Sequence, residues 1–156
     1  MRYKAIVFLV FLGTGIALAS NILGIENLGV TSGDSATITI FMENDDPAVA
    51  FQLTLSIPSN ITFNLEDIEL TDRATDHSIT YTVDGSLITV LCYSMTATPF
   101  IGDTGSVALI QLSSMTGPAG IYPLTILKPI ISGESYDNIL TDFIDRAPDS
   151  FKDAKY

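Results

Sequence analysis

Few side chains in this chain could do chemistry. Its 156 residues hold one His, His77, and one Cys, Cys92, and no Trp. One His cannot build a multi-histidine metal centre. One Cys excludes an intramolecular disulfide framework and a Cys-rich zinc or iron–sulfur site. A Ser/His/Asp hydrolase would have to use His77, which lies in the polar run Asp72-Arg73-Ala74-Thr75-Asp76-His77 with no Gly-x-Ser-x-Gly element in the chain. A solvated loop histidine is the expectation there. Glu43, Glu66, Glu69 and Glu134 could supply a glycosidase carboxylate pair, but nothing in their spacing selects two of them. No Gly-rich phosphate loop is present, so the expectation is that the chain is not an enzyme.

Oxygen ligands for calcium are densest at Asn44, Asp45 and Asp46, with Asp142, Asp145 and Asp149 as a second set. Neither follows the EF-hand spacing, and an acidic turn explains the first set as well. No cofactor is expected, with calcium at Asn44–Asp46 the one candidate. Asn60-Ile61-Thr62 is a formal glycosylation acceptor. Seven basic residues against 18 acidic ones, a net charge of −11, exclude non-specific nucleic-acid binding, because a phosphate backbone must be neutralised by Lys and Arg. Carbohydrate is a poor fit, because a sugar-stacking sandwich needs exposed flat aromatics and only Tyr93 falls outward.

The elements that must position these residues follow from the pattern. Arg2 and Lys4 precede an uncharged run, Ala5–Ala19, that ends in Ala17-Leu18-Ala19. A basic start, an apolar run of this length and a small-x-small end predict a secretory signal peptide over residues 1–19, hence a secreted or cell-surface location. The domain is expected over 20–146, with a flexible tail at 147–156. After residue 20 the sequence alternates with period two in short runs punctuated by Gly, Pro, Asn and Asp. Ala36, Ile38, Ile40 and Met42 form one such row; Val49, Phe51, Leu53, Leu55 and Ile57 form another. Asp84-Gly85 between Ser78–Val83 and Ser86–Ser94 predicts a hairpin with Val83 opposite Ser86 and Tyr81 opposite Ile88. One face then carries Ile79, Tyr81, Val83, Ile88, Val90 and Cys92 as core. The other carries Thr80, Thr82, Leu87, Thr89, Leu91 and Tyr93. Further strands are expected at 106–113, 122–127 and 139–144. The fold class is all-β, a nine-stranded antiparallel jelly-roll sandwich.

Gly33–Ile40, Val49–Leu55 and Asn60-Ile61 together resemble the opening of a cohesin domain. Leu87–Ser94, Gly117–Leu124 and Thr141–Asp145 look like later cohesin strands, so the resemblance spans roughly Leu23–Asp145. It implies a non-catalytic sandwich that binds dockerin modules on one flat sheet face, formed by the third, fifth, sixth and eighth strands. Carried over residue by residue, that face takes Ala50, Gln52 and Thr54 from the third strand and Leu91, Tyr93 and Ser94 from the sixth. Cohesins often have an Asn and an Asp where this chain has Ala50 and Gln52. The expected partner is a dockerin-like protein module. The alternatives are copies of the chain itself, as a filament or surface-layer subunit with an unpaired segment such as Asn21–Val30, or a weakly bound carbohydrate.

Overall fold

The computed structural model describes residues 18–144, and the predicted leader and the 147–156 tail lie outside the described residues apart from Leu18 and Ala19. The strands are β1 (Asn21–Ile25), β2 (Leu28–Val30), β3 (Ala36–Asn44), β4 (Ala48–Ser56), β5 (Thr62–Leu70), β6 (Ser78–Asp84), β7 (Leu87–Tyr93), β8 (Thr104–Thr116), β9 (Gly120–Tyr122), β10 (Thr125–Gly133) and β11 (Asp142–Ile144). A five-stranded sheet, β11-β1-β3-β8-β5, and a four-stranded sheet, β10-β4-β7-β6, form the sandwich; β2 and β9 make a separate two-stranded ribbon. The sandwich thus has nine strands, the number expected, and the ribbon adds two. One pair departs from the antiparallel expectation: β11 runs parallel to β1, with Leu23 opposite Phe143.

The alternation explains the core. Ile38, Ile40 and Met42 of β3 and Ile110 and Leu112 of β8 point inward from one sheet. Phe51, Leu53 and Leu55 of β4 and Ile88, Val90 and Cys92 of β7 meet them from the other, all essentially without exposure. Burial pushes the Cys92 thiol up to about 12, so it behaves as a small apolar side chain.

Four expectations need correcting. First, Asn21–Ile25 is not an unpaired segment awaiting a neighbour. It lies between β3 and β11, and Leu28–Val30 pairs with β9. Second, the hairpin register is shifted: Asp84 lies opposite Leu87 and Val83 opposite Ile88, so the loop is Gly85-Ser86. Of the two loop residues only Gly85 has positive φ (58°), which suits a turn with Gly at its first central position. The shift moves each pairing by two residues, so the faces keep their assignment. Third, Tyr81 and Val83 do lie on the inner side but stay 39% and 46% exposed, because β6 is an edge strand. Fourth, β5 and the far half of β10 are additional strand. Glu66 and Asp67 with two register shifts disguise β5, and Pro129 at a bulge disguises β10.

Arg73, in a short 3-10 turn at Asp72–Ala74, ties one end of the sandwich together. Its Nε donates to Ile101 O (2.7 Å), one terminal nitrogen to Met42 O (2.9 Å) and Gly105 O (3.0 Å), and the other to Asn44 Oδ1 and Gly102 O (both 2.7 Å). Every donor of the guanidinium is used, a fork that Lys could not reproduce.

Candidate functional site

The outer face of the four-stranded sheet is laid out by its register. Across β10, β4, β7 and β6 the rows read Leu127–Thr54–Thr89–Thr82, Ile130–Gln52–Leu91–Thr80 and Ser132–Ala50–Tyr93–Ser78. Ala50, Gln52, Thr54, Leu91, Tyr93 and Ile130 are half-buried, and Leu127 is exposed. Thr54 and Thr89 share a hydroxyl–hydroxyl bond of 2.9 Å. In a chain of net charge −11, these three rows carry no carboxylate; Asp84 stands at the corner beyond them. The acidic side chains of β5, Glu66, Asp67 and Glu69, belong to the other sheet. Five of the six sequence-predicted face residues are therefore brought together on one neutral, partly apolar surface. Leu127 and Ile130 extend it; Pro129 at the bulge hides from the sequence that the strand continues past residue 127.

Ser94 does not belong to that surface. It is only 7% exposed, and its Oγ accepts the N–H of Thr98 (2.9 Å) and lies 3.1 Å from Thr96 Oγ1. The strand has ended there, and the hydroxyl serves the following turn. That loop continues to Phe100, whose N–H donates to Ala48 O (2.8 Å) and whose ring enters the core 6.0 Å from Phe51.

His77 is not the expected solvated side chain. Its ring stacks on Phe100 at 4.0 Å and 22°, and both ring nitrogens are buried without a hydrogen-bond partner. Burial lowers its pKa, with the Asp76 carboxylate pulling the other way. Asp76 in turn accepts from Thr96 Oγ1 (2.7 Å) and Thr98 Oγ1 (3.0 Å), bonds that favour its ionised form.

At Asn44–Asp46 the oxygens serve the fold. Asp45 Oδ2 accepts Ser20 N–H (2.7 Å), Asp46 Oδ2 accepts Asn21 Nδ2 (2.8 Å) and Asn44 Oδ1 accepts Arg73. Among the described residues no group of three or more His, Cys, Asp and Glu is arranged to hold a metal ion.

No protein-family model matches the chain, and no curated protein matches it. Solved structures do share its fold. A non-cellulosomal cohesin from the hyperthermophilic archaeon Archaeoglobus fulgidus superposes with a TM-score of 0.66 at 19% identity, covering 81% of this chain and 87% of that one. The type I cohesin–dockerin complex of OlpA from Clostridium thermocellum gives 0.65 at 15% identity over 80% and 94%. The sixth cohesin of scaffoldin B from Acetivibrio cellulolyticus, solved with a dockerin, gives 0.63 at 11% identity over 82% and 99%. The chain is, in its fold, a cohesin-like domain.

Proposed function

We propose that the chain is a non-catalytic docking module and that the outer face of β10-β4-β7-β6 receives a dockerin-type helical module. The observation that carries this reading is the neutral patch of Leu91, Tyr93, Leu127 and Ile130 on an otherwise strongly acidic chain. A solvated sheet face ordinarily carries polar residues, as Thr54, Thr80, Thr82 and Thr89 do here. Depletion of charge with aromatic and aliphatic anchors is the composition of an interface core. The similar folds include cohesins solved with dockerins, which supports the class of partner. Ala50 and Gln52, standing where cohesins often have Asn and Asp, call for a partner that offers an apolar helix face more than a charged one. A filament built by strand donation finds no support, since β1 is paired on both sides within its own chain.

Amide chemical-shift mapping with a dockerin-type module from the same genome tests the location. The expected perturbations fall on Ala50, Gln52, Thr54, Leu91, Tyr93 and Ile130. Perturbations confined to β3, β8 and β5 would contradict it.

A further inference from the structure

Sheet edges are templates for pairing with another chain, and folded proteins usually blunt them with charge, Pro, bulges or brevity. Among the described residues, three of the four edge strands of the sandwich are blunted in those ways. β11 has three residues and begins with Asp142; β5 carries Glu66, Asp67 and Glu69 and two register shifts. β10 has Lys128 at φ 51°, Pro129 and a bulge. β6 has none of these devices. It pairs β7 through seven consecutive residues without a shift, holds neither Pro nor Lys, and has its single carboxylate, Asp84, at the very end.

The register shows which of its backbone groups are free. Ile57 N–H donates to Ser86 O (2.9 Å) and Ser94 N–H to Val49 O (3.1 Å), so Ser86, Ile88, Val90 and Cys92 bond towards β4. Leu87, Thr89, Leu91 and Tyr93 therefore bond towards β6, where they meet Asp84, Thr82, Thr80 and Ser78. That leaves the N–H and C=O groups of Ile79, Tyr81 and Val83 directed at the open edge, where no strand pairs among the described residues. The side chains of the same three residues form the apolar inner row, with Tyr81 and Val83 incompletely covered.

We propose that β6 is a self-association edge whose occupant is the β6 of a second copy, antiparallel about a twofold axis at Tyr81. The sequence Ser78-Ile79-Thr80-Tyr81-Thr82-Val83-Asp84 is self-complementary in that register. Tyr81 faces the second copy's Tyr81, Ile79 faces its Val83, and Thr80 faces its Thr82. Each residue with free backbone groups thus meets another, the inner row is apolar throughout, and Asp84 meets Ser78 instead of a second carboxylate. A foreign strand would need the same pattern by chance; a second copy has it by symmetry. The two four-stranded sheets then join into one of eight strands, with their outer faces side by side. This pairing does not depend on what docks on those faces.

Sedimentation equilibrium of the purified protein over a wide concentration range tests it. The expected result is a reversible monomer–dimer equilibrium that tightens with salt, because the net charge of −11 opposes association at low ionic strength. Tyr81→Pro removes the N–H at the twofold from both copies while leaving the β6–β7 ladder intact. It should weaken dimerisation by about tenfold or more. Ser78→Lys puts an ammonium opposite the second copy's Asp84 and should tighten it by about threefold; this variant decides the matter even if Tyr81→Pro fails to fold. A protein that stays monomeric at every concentration and salt, or a dimer indifferent to Ser78→Lys, overturns the proposal.

Discussion

His77 shows how a lone titratable residue can act on stability. Its ring lies against Phe100 with both nitrogens out of water, so the fold favours the neutral imidazole and the folded-state pKa falls below 6.5. The unfolded chain, with an ordinary histidine, then binds more protons once the pH drops below 6.5. The stabilisation is present above that value and is lost as the pH falls towards the folded pKa. Melting temperatures of wild type should therefore decline through this window, and those of His77→Phe should decline less. Equal slopes would show that the imidazole protonates freely in the fold. Nothing in Asp72–His77 announced this environment, because Phe100 arrives from a loop 23 positions away and only the tertiary fold brings the two together. Leu91 and Tyr93 were legible for the opposite reason: period-two alternation is local, and a residue's face follows from parity alone.

Strand β4 separates inward from outward residues along one element. Phe51 is 1% exposed and packs among both sheets, whereas Thr54 sits on the outer face beside Thr89. Phe51→Ala should cost about 3 kcal/mol through lost transfer energy and the cavity left behind, and Thr54→Ala well under 1 kcal/mol. Denaturant titrations of the two variants check this, and equal losses would mean that the faces are misassigned. The elements with clean alternation, β4 and β7, could be read from sequence alone, whereas β3 is buried on both faces, Thr39 and Phe41 included. β5 and the end of β10 could not, since charge, Pro and bulges belong to edge strands and imitate loops when no partner strand is in view. The hairpin was legible in its parity but not in its turn: Asp84-Gly85 and Gly85-Ser86 are both plausible loops, and the longer pairing of β6 with β7 selects the second.

At the scale of the whole molecule, charge is unevenly distributed. Carboxylates collect on β5, on loops and on the end of β11, while the outer rows of the four-stranded sheet remain neutral and present Leu91, Tyr93, Leu127 and Ile130. The all-β class and the sandwich follow from composition and punctuation; the neutrality of this face emerges only when four strands far apart in sequence are set side by side. Within such a face an aromatic side chain is the natural anchor. The most direct test is calorimetric titration of wild type and Tyr93→Ala with a genome-matched dockerin-type module. The predicted result is a loss of about 2 kcal/mol or more in binding free energy with an almost unchanged melting temperature. Unchanged affinity, or a large fall in stability in its place, would contradict the assignment of this face as the docking surface.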